Sequence, residues 1–226
     1  MVVPVVTILA CTLAIIATVI FRASEDGVQV LPRYWAKIIS GLAGMRVELQ
    51  GGENLQPNQP YILAANHQSQ FDIFALQGYL HISFRWLAKK ELFDIPVFGH
   101  GMRQAGYIPI DRSRGRQALK SLYAAAERIA AGASVIIFPE GTRSPDGRLR
   151  EFKSGGMVLA IKSGVPIVPV AIRGTHEIMP KGKLLSRPGR VTITIGKPID
   201  ISGFKMAQKQ ELAKRLHDEV AALLER

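Results

Sequence analysis

From residue 61 onward, short runs of branched and aromatic apolar residues recur at intervals that leave room for one helix between most of them. Runs 61–65, 84–88, 107–110, 135–138, 167–172 and 191–195 are predicted strands, and stretches 72–79, 116–131, 156–162 and 207–224 are predicted helices. Strands joined by helical crossovers pair side by side and need helices on their faces, so the expected fold is α/β, a mixed sheet flanked by helices. Leu212, Leu216, Val220 and Leu223 share one face of the last helix and are expected to close the core. The glycine- and proline-rich breaks at 51–60 and 180–188 are read as loops inside one domain.

The first part of the chain has a different pattern. Residues 2–21 carry no charged side chain, and at about 1.5 Å per residue they match a hydrocarbon layer of roughly 30 Å, which predicts a membrane helix. A cleaved signal peptide is the rival, but no basic stretch precedes the run and Arg22-Ala23-Ser24-Glu25 is a poor cleavage site. In residues 28–45, Leu31, Trp35, Ile38, Leu42 and Met45 repeat at helical spacing, with Arg33, Lys37 and Ser40 on another face. This predicts an N-terminal membrane-associated segment with an interfacial helix; a packing helix with a solvated basic face and a re-entrant pair are the alternatives. Arg22, Arg33, Lys37 and Arg46 follow the apolar run and predict a cytoplasmic location for everything after it, at the inner membrane.

A net charge of +11 implies an anionic partner, whether nucleic acid, a membrane surface or an acidic substrate. The apolar N-terminus selects an anionic lipid surface over nucleic acid, for which interleaved aromatics are missing. Cys11, the single cysteine, permits no disulfide framework and no cysteine-metal site. No ligand cluster stands at zinc or magnesium spacing, so neither metal nor cofactor is expected.

The chemistry centres on Asn66-His67-Gln68-Ser69-Gln70-Phe71-Asp72, where a strand-like run stops abruptly. A neutral imidazole takes a proton from an alcohol near neutral pH, and a carboxylate on its other nitrogen sets the tautomer and stabilises the imidazolium. His67 is the expected base and Asp72 its orienting group. Five residues on a helix would set the two side chains roughly 140° apart, so His67 is placed in the turn and Asp72 in the first helical turn. Taken alone the pair also reads as a helix start, capped by Asn66 or Ser69 with Asp72 favouring the positive end.

Three later stretches decide between these readings: Gly106-Tyr107-Ile108-Pro109-Ile110-Asp111-Arg112, Phe138-Pro139-Glu140-Gly141-Thr142-Arg143-Ser144 and Val165-Pro166-Ile167-Val168-Pro169-Val170. In this order the four motifs resemble the bacterial 1-acylglycerol-3-phosphate acyltransferases of the glycerolipid acyltransferase family, over roughly residues 60–172. The resemblance implies acyl transfer from an acyl carrier protein or coenzyme A thioester to the 2-hydroxyl of lysophosphatidic acid, forming phosphatidic acid. It implies that Arg112 and the Glu140, Gly141, Thr142 and Arg143 motif bind the glycerol phosphate, with Lys153 a further candidate, and that Val165, Pro166 and Ile167 wall the thioester or acyl chain, although their almost wholly apolar run reads first as a buried strand. Arg114 and Arg116 are left as lipid-surface contacts, and Glu140, repelled by phosphate, is expected to accept from the glycerol or to hold Arg112 or Arg143. The domains are drawn as 1–46, an anchor with its amphipathic helix, and 47–226, the catalytic domain. Direct transfer is expected, since no Gly-x-Ser-x-Gly elbow occurs.

Overall fold

The computed structural model describes residues 2–111, 113 and 115–226. Helices α1 (Val2–Val19), α2 (Glu25–Val28) and α3 (Val30–Leu42) lead into β1 (Met45–Gln50), β2 (Ile62–Ala65), α4 (Phe71–Tyr79), β3 (Arg85–Lys89), α5 (Phe98–Gln104) and β4 (Ile108–Ile110). Then come α6 (Arg116–Ala130), β5 (Val135–Ile137), α7 (Gly155–Ser163), β6 (Ile167–Arg173), α8 (Thr175–Ile178), β7 (Gly189–Ile195) and α9 (Lys209–Leu224).

The strands form one sheet in the order β1-β7-β6-β2-β5-β3-β4. Every pairing is parallel except β6 with β7, so the sheet is mixed, as expected. Strand alternation divides its side chains between two cores. Leu63, Ala65, Ile136, Val168 and Val170 pack with α3 and α4, whereas Ile62, Ala64, Val135, Ile137 and Ile167 pack with α6, α7 and α9. Central strands buried on both faces read as unbroken apolar runs, which is why they were legible in the sequence. Leu212, Leu216, Val220 and Leu223 of α9 are buried, as predicted.

The prediction omitted β1. Its Met45-Arg46-Val47-Glu48-Leu49-Gln50 alternates because, at the sheet edge, only one face of it meets the core. Packing does not stop at residue 46 either, since Ala36 and Ile39 of α3 and Met45 of β1 belong to the same core as α4.

The spanning helix expected over residues 2–21 finds no support. No helix among the described residues is long and apolar enough to cross a membrane. One side of α1 lies on protein: Ala14 is buried, a Cβ on Gly101 of α5 would fall 2.8 Å from that of Cys11, and the Trp35 indole donates to Thr7 Oγ1 at 2.9 Å. The Trp35 ring also meets Phe74 of α4 edge to face at 5.2 Å. Arg85, nearly buried at the start of β3, fastens this N-terminal part through Asp26, Nη2 to Oδ1 at 2.7 Å. Gln29 adds a 2.6 Å bond to the Ala105 carbonyl.

Candidate active site

β2 leaves the sheet at Ala65, and the Asn66 side chain replaces the next rung of the ladder. Its amide donates to the Ile172 carbonyl at 2.9 Å and accepts the Ile172 N–H at 2.7 Å, so β6 loses no partner where the chain turns away. His67 therefore sits at the carboxyl edge of the central strands, where open α/β sheets carry their ligands.

His67 Nδ1 lies 2.8 Å from Asp72 Oδ2, with Asp72 in the first turn of α4 as expected. The carboxylate is wholly buried, yet it accepts from four donors among the described residues. Oδ2 also takes the N–H groups of Gln68 at 2.7 Å and Ser69 at 2.9 Å, and Oδ1 takes the Thr175 hydroxyl at 2.5 Å. A buried charge is tolerable only when its lone pairs are answered in this way. The capping alternative fails for Asn66, which is committed to Ile172, while Ser69 Oγ does accept the Phe71 N–H at 3.2 Å.

The Phe138–Ser144 motif closes over the same turn. The His67 ring stacks on Phe138, with centroids 3.9 Å apart and planes at 12°. His67 N–H donates to Glu140 Oε1 at 2.7 Å, and Ser144 N–H donates to the His67 carbonyl at 2.7 Å. The base is thus gripped at its ring, its N–H and its carbonyl, which leaves Nε2 for chemistry. Glu140 is nearly buried, and its Oε2 has no hydrogen-bond partner among the described residues. Burial pushes its carboxyl up to about 7, against the opposing pull of the His67 N–H. Oε1 of Glu140 thus holds the backbone of the base, a contact the sequence reading did not foresee.

A family model described as Acyltransferase matches residues 46–173. The chain belongs to the acyltransferase family. It is 40% identical over 171 residues to the chloroplastic 1-acyl-sn-glycerol-3-phosphate acyltransferase BAT2 of Brassica napus, covering 75% of this chain and 49% of that one. A Pseudomonas aeruginosa protein named 1-acyl-sn-glycerol-3-phosphate acyltransferase is 36% identical over 163 residues, 72% of this chain and 62% of the other. The chain spans about half the length of the chloroplastic relative it matches. The crystal structure of the 1-acyl-sn-glycerophosphate (LPA) acyltransferase PlsC from Thermotoga maritima superposes with a TM-score of 0.78 at 29% identity, covering 98% of this chain and 94% of that one.

In this acyltransferase Gly141 turns the motif at φ 76°, and a Cβ there would lie 3.0 Å from Lys153 Nζ, so glycine serves both the left-handed turn and the lysine's approach. Thr142 is exposed and Arg143 half-buried. The sequence reading missed Lys181, whose Nζ bonds the Arg143 carbonyl at 3.0 Å and reaches Thr142 Oγ1 at 3.4 Å. It also missed Thr175 and Lys90, whose ammonium bonds Asp111 at 2.6 Å and holds that carboxyl well below the usual range. Lone lysines and threonines carry no spacing signal, which explains the omission.

Arg112 and Arg114 lie outside the described residues. Asp111, just before Arg112, extends β4 at the same carboxyl edge as His67, three strand spacings or roughly 14 Å away. For Val165 and Ile167 the contacts are those of the expected buried strand. Ile167 pairs level with Ile62, five residues short of His67 and roughly 16 Å along the strand, and Val165 and Ile167 are buried in the core beneath α7 and α9. A parallel strand starts at the edge of the sheet opposite the ligand edge, so these residues serve packing.

Proposed function

We propose that this acyltransferase moves an acyl group from an acyl carrier protein or coenzyme A thioester to the 2-hydroxyl of 1-acylglycerol 3-phosphate, forming phosphatidic acid. The names of its relatives support the acceptor. The observation that carries the reading is the pair of backbone bonds from Glu140 and Ser144 to His67, because they set the Gly141, Thr142 and Arg143 cradle directly beside the base.

With Nδ1–H donated to Asp72, His67 Nε2 takes the hydroxyl proton as the oxygen attacks the thioester carbonyl. The C–S bond then breaks, and the imidazolium returns the proton to the departing thiolate. Arg143 supplies a planar cation for the phosphate, with Thr142, Lys153 and Lys181 completing the cradle; Arg112, which the family resemblance adds, lies outside the described residues. Holding acceptor and base together removes much of the entropic barrier.

Membrane contact is proposed as peripheral. Val5, Ile8, Leu9, Leu13, Ile16 and Ile20 of the first helical stretch are exposed, and so are Val30, Tyr34, Ile38 and Leu42, spaced by four along α3. These stripes are placed against lipid at the cytoplasmic face of the inner membrane, where the thioesters are made.

Thiol release by purified protein tests the reading. It is expected with lysophosphatidate and either donor, and it should be absent without an acceptor. Equal turnover with lysophosphatidylglycerol or lyso-ornithine lipid would move the acceptor assignment, and acceptor-free release would mean a hydrolase.

A further inference from the structure

Leu184 and Leu185 stand at the tip of the loop between α8 and β7 with 95% and 86% of their surface open, beyond any other large apolar residue described. Such exposure on a soluble face marks a contact surface. The loop is nonetheless fixed at its base. Arg187 N–H donates to the Ile178 carbonyl at 2.9 Å, Lys183 N–H to that of Pro180 at 3.1 Å, and the Met179 carbonyl accepts the Ser69 hydroxyl at 2.6 Å. Ser69 in turn donates its N–H to Asp72, and Lys181 bonds the Arg143 carbonyl. An apolar tip therefore rises directly from the catalytic turn and the phosphate cradle.

Two features select its occupant. The leucines are flanked by exposed Lys181, Lys183 and Arg187 with no acidic residue from 178 to 190, which suits anionic head groups above an acyl layer. The loop also rejoins the sheet next to the end of the α3 stripe: that stripe ends at Leu42, and the Gly44 carbonyl accepts the N–H of Gly189.

We infer that the 180–187 loop inserts Leu184 and Leu185 into the lipid interface beside the active site, as a contact separate from the N-terminal helices. It brings the catalytic edge down to the layer that holds a long-chain lysolipid, so the acceptor's head group reaches the cradle while its chain stays in lipid. This rests on the proposed lipid acceptor for its purpose, though its detection does not.

Leu184→Trp is compared with the unchanged protein, which supplies the Trp35 and Trp86 baseline, on phosphatidylglycerol-containing vesicles with and without brominated acyl chains. The added emission is expected to shift to the blue and to be quenched by the brominated chains. Emission that stays unshifted and unquenched while the protein floats with the vesicles overturns the inference, as does failure to float. In parallel, Leu184→Ser with Leu185→Ser is expected to lower kcat/KM about tenfold for long-chain acceptor in vesicles and to keep it within about twofold for a short-chain, monomeric acceptor. Equal losses on both acceptors, or none on vesicles, would also overturn it. Fluorescence reads the loop even if the acceptor is assigned wrongly, so the two readings fail separately.

Discussion

Asp72 is wholly buried and takes hydrogen bonds from His67, Gln68, Ser69 and Thr175, whereas Lys181 and Lys153, a few residues away across the same opening, are exposed. The catalytic turn is held by many short bonds, whereas the ammonium groups of the cradle are left in water and Arg143 is half-buried. Proton transfer needs an imidazole fixed to within a fraction of an ångström, and only a fully bonded interior achieves that. A cation awaiting a phosphate would suffer a large desolvation penalty if buried without a partner, so it stays hydrated until the acceptor arrives. Under the proposed mechanism the turn is expected to govern kcat, and the cradle acceptor affinity.

The sharpest way to break this division is His67→Ala, expected to lower kcat by about 10² to 10⁴ with the melting transition retained. Near-normal thiol release would end the base assignment. Asp72→Ala should match that loss and also lower stability, since the buried donors it leaves unanswered cost about 1–3 kcal/mol each; urea denaturation measures this.

Glu140 belongs to the turn by its bond to His67 N–H, and its folded pKa of about 7 stands above the usual 4.5. The native state then keeps a proton that the unfolded chain has released. Stability is full below about 4.5 and falls as pH rises through 7, by up to roughly 3 kcal/mol. Glu140→Gln is expected to flatten that slope in denaturant titrations across this range.

In the cradle, Arg143→Ala should raise the KM for lysophosphatidate about 10- to 100-fold with little change in kcat, the loss of a charge-assisted bond. A fall in kcat alone would move Arg143 into the turn. The finest test is Thr175→Val, which removes the Asp72 Oδ1 donor: kcat is expected to drop about tenfold at constant KM, and Thr175→Ser to restore it.

Both regions were unequally legible. The central strands, β2, β5 and β6, declared themselves because two-sided burial forces an unbroken apolar run. His67 with Asp72 was readable because the contact is local, five residues along the chain. β1 was overlooked although Val47 and Leu49 alternate with Arg46, Glu48 and Gln50, since one buried face gives a weaker signal. Glu140 was assigned to the acceptor because a motif conveys residue types without saying which neighbour each carboxylate meets.

What the chain order alone determined was the α/β class, the motif that carries the base, and the presence of a cationic cradle, all properties of short segments and their periodicity. Folding decided the remainder. Which carboxylate braces which backbone group, that Thr175 reaches Asp72 from 103 residues away, and that Val165 and Ile167 lie at the opposite end of the sheet from His67 depend on strand order and register. Register is settled by the simultaneous packing of both sheet faces, and no local stretch of sequence contains that information.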